Sequence, residues 1–278
     1  MSEVIVKMSL AIKNICTEQW RLYDLDAVIN AIEDDIASAI DAKKISTNQD
    51  YMNIILRTAG RSIVSMREIL QLSAHGYPDG ALAIARNIYE NLIILAFFEN
   101  QKNSKNFSDY IEDYHADFEF KRISAWIYES KYCKHDTTET QRLNDELNVL
   151  KKNAHHKCEG DYWWSGHKSF SQLVKSAIRS VPDERGQHFL HTLHLTYKRA
   201  CVSIHSSCMG NTLRLGTEPD FAGISTAPTQ NGHALPLWFA TVSLIYIVGV
   251  TYCTLEIDFT ERDKELNQLA EFFYKQGF

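Results

Sequence analysis

The sequence predicts an all-α protein that forms a single helical domain. Residues that interrupt helices are scarce, since the 278 residues include only 12 Gly and 5 Pro, and few breakers favour long helices over strands and turns. Hydrophobic residues make up 45% of the chain, enough for a large core. They recur at threes and fours through much of the sequence, which is the spacing of one face of a helix.

The first helices are marked by this periodicity and by the breaks between them. A first amphipathic helix is predicted from Leu25, Val28, Ile29, Ile32, Ile36 and Ile40, with acids between them. The polar stretch STNQD, 46–50, predicts a break, and a second helix follows over about 51–73. The segment AHGYPDG, 74–80, favours a turn and the start of a third helix.

The rest of the chain continues the helical pattern. Further helices are predicted over about 108–131, 138–153, 169–180, 183–207, 236–257 and 260–274. The segment 155–167 is typical of a loop, and the long stretch after Cys208, rich in Gly, Thr, Ser and Pro, predicts a second loop of a kind that is often functional. We expect residues 1–48 to form an N-terminal amphipathic helix packed on a main domain, 49–278, in one compact unit.

Charge and targeting signals favour a cytoplasmic protein outside the membrane. The net charge of −6 excludes attraction of nucleic acid by the whole molecule, so such binding needs a local basic patch. The N-terminus lacks a signal-peptide pattern, and the six scattered cysteines are expected to be free thiols. The uncharged stretch 235–255 is long enough to span a bilayer. Its Ser, Thr and Tyr residues and its lack of basic anchors favour a buried core helix.

The candidate site lies in the segment YKRACVSIHSSCMGN, 197–211. The buried stripe of its helix is predicted from Leu190, Leu193, Tyr197, Ala200, Cys201 and Ile204. At about 100° per residue, Arg199 lies roughly 160° from this stripe and points outward, and His205 lies roughly 80° to its flank. A guanidinium can hold a phosphate through two hydrogen bonds, and an imidazole can transfer a proton near neutral pH. On RNA, such a pair can promote attack of the 2′-hydroxyl on the adjacent phosphorus.

The spacing of this pair does not by itself establish a site. With 12 arginines and 11 histidines in the chain, roughly one to two such pairs are expected by chance. A second pair, Arg185 and His191, has the same spacing. The outward direction of Arg199, the helix end near His205 and the long loop that follows distinguish the first pair.

Segment 197–211, with GYPDGALAIARNIYENLIILAFF at 76–98, resembles the HEPN superfamily of ribonucleases. The hallmark of that superfamily is an arginine, four to six residues and a histidine near a helix end in an all-helical chain. The resemblance covers about 51–257 and implies an antiparallel HEPN-like helix bundle with extra N-terminal helices. It also implies a homodimer that cleaves RNA in a shared cleft without a metal or other cofactor. Arg199 would stabilise the scissile phosphate, and His205 would act as general base or acid.

The same resemblance implies a toxin or phage-defence effector, with an antitoxin or another regulatory protein as a possible partner. Candidate supporting or substrate-binding residues are Arg86, Glu90, His194, Lys198, Ser206 and Asn211. Arg86 and Glu90 form an i, i+4 pair in an otherwise apolar helix, either beside the cleft or as an internal ion pair that fixes packing. His194 and Lys198 align with His205 and can lend positive charge to a phosphate-binding cleft.

Two other classes of function remain open. One is a non-catalytic helical module that binds a partner or a nucleotide through the same surface. The other is a metalloenzyme that uses Cys133, His135, His155, His156 and Cys158, which are zinc-type ligands without standard zinc spacing. The aromatic residues at 162–164 can stack on RNA bases, although such a cluster is more typical of a core or interface.

Overall fold

The computed structural model describes residues 2–42, 49–130, 137–204, 215 and 228–277. Over these residues the chain is all-α, as predicted, and the described part contains no strand. The first helices are α1 (Ser2–Gln19), α2 (Leu22–Ala42), α3 (Gln49–Ala74), α4 (Pro78–Gln101), α5 (Phe107–Ser130) and α6 (Thr137–Asn153). A 3₁₀ turn at Trp163–Ser165 precedes α7 (Phe170–Ser180), α8 (Glu184–Ile204), α9 (Ala234–Leu255) and α10 (Thr260–Gly277).

Helix α1 was not predicted as a separate helix, although residues 1–48 were expected to form an N-terminal amphipathic helix. Its apolar residues include the consecutive β-branched run at 4–6, which lowers helix propensity and does not give a helical period. Packing compensates, because Cys16 in the last turn and Trp20 just after the helix are buried. Tertiary contacts, rather than local preference, stabilise such a helix.

The turn between α3 and α4 follows the sequence prediction closely. Gly76 adopts φ = 81°, a conformation that favours glycine. The N–H of Gly76 donates to the Ser73 carbonyl at 3.1 Å, and the N–H of Tyr77 donates to the Leu72 carbonyl at 2.9 Å, so the last carbonyls of α3 are capped. Pro78 is the first residue of α4, the position where its missing N–H costs least.

Contacts between residues divide the chain into two compact units, one of 1–95 with 188–278 and one of 96–187. This division does not follow the predicted boundary between 48 and 49. Helices α1 and α2 pack on α3, and α2 also packs on α9 and α10. Because α2 buries Leu25, Ile29 and Ile32 completely, the N-terminal helices are part of the core of the first unit.

Helix α9 is the central helix of the first unit. It packs on α2, α3 and α10, and Leu237, Phe239, Leu244 and Ile247 are fully buried. By length and composition alone, both α4 and α9 could cross a membrane, but 61% and 72% of their most apolar windows are buried within the chain. Core helices pass the same test, because they also lack a polar face.

The second unit is built around α5, which packs on α6 and on the 3₁₀ turn. Trp163 and Trp164 in that turn are buried, and the Trp164 ring stacks on Phe98 with centroids 5.4 Å apart and planes at 11°. The two tryptophans are therefore core residues of this unit, which agrees with the more typical of the two interpretations of their sequence.

Candidate functional site

Helix α8 carries the candidate catalytic arginine on its exposed side. Leu193 and Ala200 are fully buried, so the predicted inner stripe is confirmed at these two positions. Thr196, which was not part of the predicted stripe, is also buried. Arg199 and its neighbour Lys198 are exposed. The predicted outward direction of Arg199 is thus confirmed, and it follows from helix geometry, since Arg199 stands about 200° around α8 from Tyr197.

The histidine of the pair cannot be placed in the same way. Helix α8 is described as far as Ile204, and His205 lies outside the described residues. The same holds for Ser206 and Asn211. The roles predicted for these three residues stay predictions from the sequence.

The inner side of α8 forms a polar cluster with α4. The Tyr197 hydroxyl donates to Glu90 Oε1 at 3.0 Å, and Arg86 Nε lies 3.5 Å from the same oxygen. About a quarter of each of the Arg86 and Glu90 side chains is exposed. The ion pair predicted from the i, i+4 spacing is therefore present. It is partly shielded from water, and charge pairs interact more strongly in such an environment than at a fully exposed surface.

The ionisation of this cluster is set by its neighbours. Burial works to lower the pKa of the Arg86 guanidinium, but the Glu90 charge and the contacts with Cys201 and Tyr197 outweigh it and raise the pKa. Burial, the Glu90 charge and Cys201 raise the pKa of the Tyr197 hydroxyl. At neutral pH the arginine is charged and the tyrosine keeps its proton, so both can act as donors to Glu90.

His194 differs from its prediction. It was expected to add positive charge to an accessible phosphate-binding surface, but the residue is only 7% exposed. Its ring stacks on Tyr197 with centroids 5.7 Å apart and planes at 12°, and it also lies near Tyr89 at 6.3 Å. Position 194 is three residues before Tyr197, which places both on the inner side of α8. A buried ring there packs the helix and does not contact a polynucleotide.

The predicted supporting residues therefore fall on two sides of α8. Glu90 of α4 contacts the inner side of α8 at Tyr197, with Arg86 paired to Glu90, and His194 of α8 lies on that same side. Lys198 is exposed beside Arg199. Tyr197 itself was predicted only as a core residue. The signal that could have identified it is its hydroxyl group, because a tyrosine in a buried stripe requires a hydrogen-bond partner.

The residues of the metal alternative have other partners. The backbone N–H groups of His155 and His156 donate to Asp113 at 3.0 and 2.9 Å, and His156 Nδ1 lies 2.7 Å from the same carboxylate. Burial and the Asp113 charge raise the pKa of the Cys158 thiol, which disfavours the thiolate that binds metals. Among the residues that the structure describes, no three His, Cys, Asp or Glu side chains are placed to hold a metal ion. Cys133 and His135 lie outside those residues.

Comparison with known families gives a match over more than half of the chain. The sequence model of a family of unknown function, DUF5677, matches residues 52–222. No curated protein and no solved structure matches the chain. The matched range includes Arg86, Glu90, Arg199 and His205.

Proposed function

We propose that this chain, which belongs to the DUF5677 family of unknown function, is a metal-independent endoribonuclease that uses Arg199 and His205. The observation that carries the proposal is the exposure of Arg199 on the outer side of α8, six positions before His205. An arginine that faces outward beside a second cation, Lys198, suits a phosphate ligand better than a role in the core.

In this mechanism the arginine and the histidine have separate tasks. Arg199 binds the scissile phosphate and stabilises the negative charge that develops on its oxygens. His205 removes the proton of the adjacent 2′-hydroxyl or protonates the leaving oxygen. The hydroxyl oxygen forms a bond to phosphorus as the 5′-oxygen leaves, so the products are a 2′,3′-cyclic phosphate and a 5′-hydroxyl, and water is not consumed in this step.

The resemblance to HEPN ribonucleases supports the remaining parts of the proposal. We infer a cytoplasmic homodimer in which two copies of the outer side of α8 form one RNA-binding cleft. A toxin or phage-defence role, restrained by an antitoxin or another regulatory protein, completes the proposal.

The test compares two arginine–histidine pairs that have the same spacing in the sequence. We expect Arg199→Ala and His205→Ala each to lower the rate of RNA cleavage, measured with a chelator present, by about 10²-fold or more. Arg185→Ala and His191→Ala are matched controls, because both residues are exposed on α8 and have the same spacing. Both control variants should cleave RNA at the wild-type rate, and both should still inhibit cell growth when they are expressed. A 2′-deoxynucleotide at the scissile position should abolish cleavage.

Other outcomes would favour the alternatives. Equal cleavage by all four variants and the wild type contradicts the roles of Arg199 and His205. Binding without cleavage by the wild type indicates a non-catalytic module, and loss of cleavage on chelation indicates a metalloenzyme. A mass in solution that corresponds to one chain at micromolar concentration contradicts the shared cleft.

A further inference from the structure

A basic pocket lies beside α7, in the second unit. It has a volume of about 560 Å³, within the range of small-ligand sites, and it is open to solvent. Its wall includes seven polar or charged side chains: His167, Lys168, Gln172, Lys175, Ser176, Arg179 and Ser180. None of the described lining residues carries a carboxylate.

Helix geometry brings these side chains to one side of α7. Phe170, Leu173, Val174 and Ala177 are buried and form the inner face of the helix. Residues 172, 175, 176 and 179 follow the spacing i, i+3, i+4 and i+7, which defines the opposite face. Burial of the inner face therefore fixes the polar residues at the pocket.

Two of the pocket cations are not neutralised within the described chain. Lys175 and Arg179 have no ion-pair partner among the residues that the structure describes, whereas Lys168 contacts Glu159 at 2.5 Å. On α10, by comparison, Lys275 pairs with Glu271 one turn away at 2.6 Å. Like charges at i, i+4 repel each other, so an anion bound between Lys175 and Arg179 would stabilise α7.

We propose that this pocket binds phosphate groups of an RNA strand. Lys175 and Arg179 are separated by about 6 Å along the helix axis, which allows each to contact a different phosphate of one strand. The guanidinium of Arg179 can bind a phosphate through two hydrogen bonds, and Lys175 acts as a compact charge. Gln172 accepts the Lys168 N–H at 2.8 Å through its Oε1, which leaves its amide nitrogen as a further donor.

This site is independent of the cleavage proposed for Arg199 and His205, because its residues belong to a different helix and a different unit. A free nucleotide offers the same phosphate chemistry as a strand. The pocket is open to solvent and Lys175 and Arg179 follow each other along α7, an arrangement that favours an extended strand.

The experiment measures binding without cleavage. The probe is a fluorescein-labelled, single-stranded 2′-O-methyl RNA, which lacks the attacking hydroxyl, so the result does not depend on nuclease activity. Anisotropy titrations over a series of KCl concentrations compare the wild type, K175Q/R179Q and R57Q/R61Q. The last variant is a matched control, since Arg57 and Arg61 are exposed on α3 with the same i, i+4 spacing. Far-UV circular dichroism melts verify that the variants fold.

We expect K175Q/R179Q to weaken binding on the order of 10-fold near 0.1 M salt. The slope of log K against log salt should become less negative by about 1.4, since each of the two lost single-strand phosphate contacts contributes about −0.7. The control should keep the wild-type slope. An unchanged slope in K175Q/R179Q, or an equal decrease in the control, overturns the site. Displacement of the probe by ATP at lower concentration than by unlabelled 2′-O-methyl RNA overturns the assignment to a strand.

Discussion

Replacement of Asp113 by alanine should destabilise the second unit more than any surface change on α5. The Asp113 side chain is 2% exposed and accepts three hydrogen bonds, from the N–H groups of His155 and His156 and from the His156 ring. The imidazole also stacks on Tyr110 with centroids 4.8 Å apart. One carboxylate therefore fixes the chain that follows α6 against α5.

The magnitude follows from the number of lost bonds. Each hydrogen bond to a charged acceptor is worth about 1.5 kcal/mol at the lower end of measured values, so three bonds predict a loss of about 4–5 kcal/mol. Removal of a buried charge recovers part of its desolvation cost. We therefore expect Asp113→Ala to lower the free energy of unfolding by about 3–4 kcal/mol. Asp113→Asn should lower it less, because the amide oxygen can still accept one N–H.

The assay is urea unfolding followed by tryptophan fluorescence, since Trp163 and Trp164 are buried in the same unit. Hydrogen exchange adds a local readout, because the N–H groups of His155 and His156 should lose protection in Asp113→Ala. Asp109→Ala is the control, one turn earlier on α5. Asp109 lies 3.9 Å from His155 and is about one-third exposed, so its loss should cost less than about 1 kcal/mol. Equal unfolding free energies for Asp109→Ala and Asp113→Ala would refute the reasoning.

Two further predictions concern the first unit. Burial lowers the pKa of His233, and the hydrogen bond to the Thr229 carbonyl only partly opposes this effect. As the pH falls, the imidazole is therefore protonated in the unfolded chain at a higher pH than in the folded protein. The free energy of unfolding should then fall as pH drops below about 6.5, the unperturbed value. His233→Asn should flatten this part of a pH series of urea titrations, and an unchanged pH dependence contradicts the assignment. Tyr197→Phe removes the donor to Glu90 and should cost about 1 kcal/mol in the same assay. A change below about 0.3 kcal/mol would mean that this hydrogen bond contributes no net stability.

The helices themselves were largely predictable. The predicted helix over 51–73 corresponds to α3 at Gln49–Ala74, and the prediction over 260–274 corresponds to α10 at Thr260–Gly277. These elements have regular apolar spacing and clear breaks, which are local signals. Helix α1 lacked such a period and was not predicted as a helix separate from α2, because its stability comes from contacts with residues far along the chain.

The candidate site was predictable only in part. The outward direction of Arg199 depends on the angle per residue of one helix, so the spacing of the buried stripe was sufficient. His194 was expected on an accessible surface and is buried, since its surroundings depend on how α4 packs against α8. The basic face of α7 was not recognised, because the sequence did not indicate which of its cations would lack an acidic partner.

The sequence by itself determined most of the helical segments, the position of the turn at Gly76 and the direction in which Arg199 points. Each of these follows from hydrogen bonds and side-chain spacing within a few residues. Only the tertiary structure decided the partners of the polar groups. Asp113 accepts a hydrogen bond from the N–H of His155, 42 positions away. Tyr197 donates one to Glu90, 107 positions away. Such contacts depend on the packing of whole helices, which local periodicity does not specify.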